Sequence, residues 1–144
     1  MAESQERIAE IAARMTTQTP QAAALGVELI SASPVIFKVP WREDLVGDPD
    51  TGVIAGGAVT TVLDHACGLA IHVASPDTWG GPTLDLRIDY MRPAAPRAAI
   101  FAEAHCYKVG RTIAFVRASA YDVEIGDPIA TAQGAFALNP RPAK

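Results

Sequence analysis

With 144 residues, of which 49 % are hydrophobic, the chain is long enough to form one domain with a substantial core. A formal net charge of −4 argues against a general nucleic-acid binder, which is usually basic. Because only 19 % of the residues are charged, we expect apolar surface to be buried between subunits of a homodimer or homotetramer.

Membrane and secretory segments are not expected either. The most apolar stretch, residues 53–74, is interrupted by Asp64, His65 and His72, and no uninterrupted run reaches the roughly 18 residues of a membrane span. The first residues lack the basic region and apolar block of a signal peptide. Two cysteines are too few for a disulfide scaffold. We therefore expect a single domain over residues 1–144, located in the cytoplasm and binding neither nucleic acid nor membrane.

The N-terminal part of the chain predicts a helix followed by two strands. Residues 3–15 carry apolar side chains at helical spacing, which indicates an amphipathic helix that residues 16–20 end. Residues 25–31 and 35–39 are typical of strands, with a turn at Ser33 and Pro34 between them. Residues 40–54, rich in Asp, Gly and Pro, predict a polar loop.

Residues 57–74 predict a second helix that is apolar on every face, as is typical of a buried helix. At about 1.5 Å per residue it spans roughly 27 Å, the width of a small domain. Asp64 lies two turns inside it, and burying a charged group costs several kcal/mol unless the group is paired or used. Gly56 and Gly57 stand at its start, where unpaired backbone N–H groups can stabilise a developing negative charge.

The rest of the chain predicts four strands, at residues 83–91, 98–108, 112–123 and 128–138. Strict alternation is clearest in the first of them. The joints at residues 92–96, 109–111 and 124–127 are short and carry glycine or proline, so we expect antiparallel hairpins. A long antiparallel sheet curled around the apolar helix is then the economical α+β arrangement.

Three segments, taken together and in this order, resemble a known family. The first is Gly56-Gly57 with Asp64 on the same helix, the second is Thr83-x-Asp85-Leu86-x-Ile88-x-Tyr90-Met91-Arg92-Pro93, and the third is Gly110-Arg111-Thr112 followed by residues 114–117. With them the chain resembles the hotdog-fold acyl-CoA thioesterases of the phenylacetyl-CoA type, over about residues 26–138. The resemblance implies an antiparallel sheet of five to six strands wrapped around a long central helix, with an N-terminal helix.

The same resemblance implies roles for particular residues. Asp64 is expected to act as nucleophile or general base toward water, Gly56 with Gly57 to hold the thioester carbonyl, and Thr83 to orient the attacking water. The site is expected at a dimer interface, with an acyl-CoA as substrate and no cofactor. The chain departs from the family at Ala55, where a histidine is usual, and at Pro49, where an asparagine is usual.

Basic residues and histidines admit two interpretations each. Arg92, Lys108 and Arg111 are candidates for binding the phosphates of coenzyme A, or are solvated hairpin charges. His65 and His72 share a helix face, yet with Cys67, His105 and Cys106 they form none of the tight spacings typical of metal sites. We therefore expect no metal, and interface or core positions for the histidines.

Three functions compete for this chain. Hydrolysis of an acyl-CoA thioester is the first, and a non-catalytic acyl-CoA-binding module that has lost turnover through Ala55 and Pro49 is the second. A dehydratase or hydratase of the same fold is disfavoured because those enzymes use a catalytic histidine in a different motif. Which acyl group is bound does not follow from the sequence, since residues of two subunits would line the pocket.

Overall fold

The computed structural model describes residues 2–140, so Met1 and residues 141–144 of the predicted domain lie outside the described residues. The chain begins with α1 (Ala2–Ala13), a π-helix (Arg14–Gln18) and α2 (Pro20–Leu25), followed by strands β1 (Glu28–Ala32) and β2 (Val35–Val39). A 3-10 turn (Glu43–Leu45) and the short strands β3 (Val46–Asp48) and β4 (Val53–Ile54) lead to the long helix α3 (Gly56–Ala74). Four long strands complete the fold: β5 (Thr78–Tyr90), β6 (Ile100–Val109), β7 (Ile113–Tyr121) and β8 (Ala130–Pro140).

The main sheet has six strands in the order β1-β2-β6-β7-β8-β5, and all neighbours are antiparallel. Its inner face packs against α3 and is made largely of small side chains that are at most 5 % exposed, among them Ala102, Ala104, Ala114, Ala118, Ala120, Ala130 and Ala132. Because close packing needs matched volumes, these alanines let the helix lie close to the sheet. The expected α+β arrangement, with an antiparallel sheet, a long central helix and an N-terminal helix, is confirmed.

Helix α3 is largely buried, with partly or fully exposed residues at both of its ends and along its middle. By length and composition it is apolar enough to cross a membrane, with a mean hydropathy of 1.2, but here it is the core helix and half of that window is buried. Four of these residues recur at i, i+4, i+7 and i+11, which places them on one face. We call this face the open stripe; it consists of Gly57, Thr61, Asp64 and Gly68. The prediction of burial on every face was therefore wrong for this stripe.

The N-terminal segment contains more helix than predicted. Residues 16–18 do not end the first helix but continue it as a π-helix, and Pro20 begins α2 at a position where its missing N–H costs nothing. Gly26, in the left-handed conformation at φ 69°, ends α2. As a result β1 begins at Glu28 rather than at residue 25.

The predicted polar loop at residues 40–54 also carries structure. It contains the 3-10 turn and the β3–β4 hairpin, whose tip is closed by the Asp48 carboxylate. That carboxylate accepts hydrogen bonds from the N–H of Asp50 and the hydroxyl of Thr51. Such local side-chain contacts are typical of turns at Asp, and here they hold the segment that leads into α3.

The prediction of a hairpin at residues 92–96 was wrong. β5 pairs with β8 at the far edge of the sheet, so the chain after Tyr90 crosses the ends of β8 and β7 before it enters β6. The crossing is fixed by Asp122, which lies beyond the end of β7. Its carboxylate accepts two hydrogen bonds from Arg92, at 2.6 and 3.1 Å, and one from the N–H of Ala95 at 2.8 Å. The joints at residues 109–111 and 124–127 do connect neighbouring antiparallel strands, as predicted.

Candidate active site

Asp64 lies on the open stripe in the middle of α3, where it is half-buried. Its Oδ1 accepts a hydrogen bond of 2.7 Å from the hydroxyl of Thr83. Thr83 stands between two irregularities in the pairing of β5 with β8, and such irregularities re-aim side chains. The structure therefore brings together two of the predicted site residues. The Thr83 hydroxyl fixes one carboxylate oxygen, and no donor from residues 2–140 hydrogen-bonds to the other.

The start of α3 presents unpaired donors. Its N-cap is Ala55, which has no side-chain acceptor, and within residues 2–140 the N–H groups of Gly56 and Gly57 donate to no acceptor. Nothing lies within 4 Å of the point where a side chain at Gly57 would begin. These N–H groups, at the positive end of the helix, are therefore available to an electronegative atom from outside the chain.

Tyr90, for which the sequence predicted no role at the site, holds this first turn in place. Its hydroxyl donates to the carbonyl of Gly56 at 2.9 Å and also contacts the hydroxyl of Thr60. The aromatic ring lies 3.7 Å from where a Gly56 side chain would begin. Tyr90 thus positions the turn through its carbonyl side and leaves the N–H side open. Alternation along β5 puts Tyr90 on the helix-facing side, and that was the signal available in the sequence.

Gly56 and Asp64 are too far apart to act on one carbonyl group within a single chain. They are eight residues apart on one helix, which corresponds to about 12 Å along its axis. A reacting carbonyl must lie about 3 Å from its donor and from the attacking water. A site that uses both groups therefore needs Asp64 of one chain and Gly56 of another.

The open stripe is flanked by side chains on both sides, and we call the surface between them the groove. Thr83 and Tyr90 of β5 stand on one side of it. On the other side, a cavity of about 410 Å³ beside Gly57 and Thr61 is lined by α2 and by Arg42 and residues 44–46. Further along this side, the tip of Met15 in the π-helix lies 3.4 Å from where a side chain at Gly68 would begin.

The other chemically reactive side chains of α3 serve the N-terminal segment or the core. His65 hydrogen-bonds through Nε2 to the carbonyl of Met15, and its ring centroid lies 5.3 Å from that of Phe37. Burial lowers the pKa of His72, and the positive charge of the nearby Arg7 lowers it further. Burial also raises the pKa of the Cys67 thiol to about 12, so this thiol stays protonated. Residues 2–140 contain no group of three or more His, Cys, Asp or Glu side chains placed to hold a metal.

The three predicted phosphate-binding residues are not brought together in one chain. Arg92 is engaged by Asp122 and Asp127 at the end of the sheet where α3 begins. Lys108 and Arg111 are exposed at the β6–β7 turn, at the opposite end. The length of β7 separates the two ends, about 25 Å at the usual rise per strand residue. Arg92 therefore has a structural ion pair, while Lys108 and Arg111 remain candidates for an anion.

Comparisons with known proteins relate the chain to others by sequence and by fold. The family model described as the thioesterase superfamily matches residues 51–129, a segment that contains Gly56, Asp64 and Thr83. The chain is 32 % identical over 122 residues to a Halobacterium salinarum protein named "Putative esterase VNG_1336C", covering 78 % of this chain and 80 % of that one.

Solved structures show the same fold. A crystal structure of a Pseudomonas aeruginosa protein superimposes with a TM-score of 0.81 at 36 % identity, covering 90 % of this chain and 98 % of that one. Thioesterase superfamily member 2 from Mus musculus gives 0.73 at 26 % identity, with coverages of 90 % and 96 %. A variant of the phenylacetic acid degradation protein PaaI from Thermus thermophilus gives 0.69 at 26 % identity, with coverages of 82 % and 97 %.

Proposed function

This chain belongs to the thioesterase superfamily and has its hotdog fold, and from that premise we propose that it hydrolyses an acyl-CoA thioester to the free acid and coenzyme A. The observation that carries the proposal is the 2.7 Å hydrogen bond from Thr83 to Asp64, because it fixes a half-buried carboxylate with one oxygen free beside an open groove. Ionisable groups held in this way, in an otherwise apolar helix, are common at functional sites.

The proposed reaction uses Asp64 as a general base or as the nucleophile. As a base, it takes a proton from a water molecule whose oxygen attacks the thioester carbonyl. As a nucleophile, its free oxygen attacks first, and water then hydrolyses the resulting anhydride. In either course the carbon–sulfur bond breaks, and the thiolate of coenzyme A leaves and is protonated. The N–H of Gly56, at the helix start, stabilises the negative charge that builds on the carbonyl oxygen.

The distance between Gly56 and Asp64 supports a site shared by two copies of the chain. In a twofold dimer the same surface meets itself, so Asp64 of each copy would face Gly56 of the other, and two equal sites would form. The exposed stripe and the free N–H groups at the helix start suit such an arrangement. A dimer, alone or within a tetramer, and the absence of a resident cofactor are part of the proposal.

A panel of acyl-CoA thioesters tests the proposal directly. Release of free thiol would be followed for aromatic and straight-chain substrates, with phenylacetyl-CoA included because one structural relative carries phenylacetic acid degradation in its name. Turnover of at least one thioester supports the enzyme. Calorimetric binding without thiol release would instead identify a non-catalytic acyl-CoA-binding module, the function suggested by Ala55 and Pro49 in place of the family residues.

Gly56→Pro is expected to lower kcat by about 10²-fold, because it removes one donor to the carbonyl oxygen. Proline suits this position: it is the first residue of α3, and Ala55 before it is already extended, at φ −62° and ψ 140°. A side chain at Gly56 would also meet no atom closer than 3.7 Å. Gly56→Ala, which keeps the N–H, is the matched control and should stay close to the wild-type rate.

Mixed subunits extend the same prediction to the interface. When equal amounts of Gly56→Pro and Asp64→Asn protein are refolded together, half of the dimers contain both variants. If the site is shared, each mixed dimer has one intact site, and activity recovers to about a quarter of the wild-type value. If both groups act within one chain, every site is defective and mixing restores nothing.

A further inference from the structure

We propose that Met15 closes the acyl end of the groove above Gly68 and restricts the protein to short or compact acyl groups. The inference rests on the proposed function at Asp64, since it assigns the acyl-binding part of the same site. It concerns a residue of the N-terminal helical segment, outside the part of the chain that the family model matches.

Gly68 is the next residue of the open stripe after Asp64, one turn along α3 and about 6 Å along the helix axis. With no side chain, it leaves a bare patch of helix beside the carboxylate. Met15 covers this patch, since its Cε lies 3.4 Å from where a Gly68 side chain would begin. A group that extends from Asp64 past Gly68 therefore meets the methionine.

The backbone of Met15 is tied to α3. The π-helix at Arg14–Gln18 turns the carbonyl of Met15 toward His65, whose Nε2 hydrogen-bonds to it. The His65 ring in turn packs against the fully buried Phe37. Short π-helical segments are rare in proteins, and those that occur are often found at functional sites. The main chain of Met15 is thus fixed, while its side chain is unbranched and adaptable.

The two directions along the groove differ in polarity. Toward the start of α3 the wall includes Thr61 and the ion pair of Arg42 with Asp44, which suits the polar arm of coenzyme A. Toward Gly68 the wall is formed by the apolar side chain of Met15, which packs against the core. An apolar acyl chain gains most from leaving water at this second end. The acyl group therefore points toward Met15.

Straight-chain thioesters from butanoyl-CoA to dodecanoyl-CoA test this inference. For Met15→Ala, kcat/KM for the longest substrates should rise about 10-fold relative to butanoyl-CoA, the effect of burying roughly two more methylene groups. Gly68→Ala should shift the preference toward shorter chains, because the added methyl group fills the bare patch of helix in ordinary contact with Met15 Cε. Met15→Leu, which keeps the volume, should retain the wild-type profile.

Ile30→Ala is the control, since Ile30 is a 52 % exposed apolar residue on β1, at the sheet edge opposite β5. An unchanged chain-length profile in both Met15→Ala and Gly68→Ala would overturn the inference and leave thioester hydrolysis standing. Calorimetry on Asp64→Asn protein, with and without Met15→Ala, measures the affinity for each of the same acyl-CoAs. It gives the ranking of chain lengths by affinity, independently of turnover. If no thioester is hydrolysed but that ranking shifts, the proposed function fails and the role of Met15 holds.

Discussion

Asp64→Asn is expected to lower kcat on the best thioester by about 10³-fold, since a positioned general base typically contributes about 10²- to 10⁴-fold to the rate. Asparagine has the same shape and can still accept the hydrogen bond from Thr83, so the groove should keep its form. What is lost is the negative charge that takes a proton or attacks carbon. KM should therefore change much less than kcat, as for a group that acts mainly in the transition state.

The matched control for this variant is Asp85→Asn. Asp85 also lies close to Thr83 in the chain but is exposed, and within residues 2–140 no hydrogen bond or ion pair involves its side chain. Its replacement removes the same charge without touching the site and should leave kcat unchanged. Wild-type rates in Asp64→Asn, with binding intact, would show that Asp64 has no part in the chemistry. The binding-module alternative predicts no thiol release in either protein.

Much of the fold could be predicted because local patterns encode it. The apolar run of α3 and the alternation in β5 follow from the periods of helix and strand, which any window of the sequence displays. The short joints at residues 109–111 and 124–127 likewise predict the β6–β7 and β7–β8 hairpins. Even the open stripe is visible afterwards, because Gly57, Thr61, Asp64 and Gly68 are the small or polar positions of one helix face.

The parts that were wrong depend on contacts between distant residues. The crossing that places β5 beside β8 carries the contact between Arg92 and Asp122, which are thirty positions apart. The sequence of the proline-rich joint does not indicate such a distant partner. In the π-helix, the carbonyl of Met15 is hydrogen-bonded to His65, fifty positions away in the chain. Pro20 illustrates the same limit locally, because a proline both stops one helix and opens the next.

The candidate site divides in the same way. Asp64, Gly56 and Gly57 stand out in the sequence because a charge and a glycine pair are unusual in an apolar helix. The role of Thr83 was predicted from the family resemblance, and its contact with Asp64 is seen only in the structure. Met15 and Tyr90 carry no chemical signal of their own, since a methionine and a tyrosine on apolar faces are ordinary packing residues. Their positions beside Gly68 and Gly56 emerge only from tertiary packing.

Asp122→Ala is expected to lower the free energy of unfolding by about 2 to 3 kcal/mol, somewhat less than for a fully buried ion pair because Arg92 is 28 % exposed. The Asp122 side chain itself is only 1 % exposed, and its removal deletes two hydrogen bonds from Arg92 and leaves the N–H of Ala95 without its acceptor. Asp89→Ala is the matched control: Asp89 pairs with Arg87 at 3.2 Å, but both are more than half exposed. That variant should cost less than about 1 kcal/mol in urea unfolding.

The same contact gives the stability a defined dependence on pH. Hydrogen bonds from Arg92, and next from the N–H of Ala95, hold the pKa of the Asp122 carboxyl well below its usual value against the opposing effect of burial. Since the unfolded chain binds the proton more tightly, the contribution of Asp122 is complete above the unfolded value of about 3.9 and is lost as the pH falls toward the lower folded value. The difference in unfolding free energy between wild type and Asp122→Ala should therefore be constant from neutral pH to about pH 5 and shrink below about pH 4. A difference that persists undiminished at the acid end would mean that Asp122 acts through packing and not through its charge, and the crossing from β5 to β6 would then need another explanation.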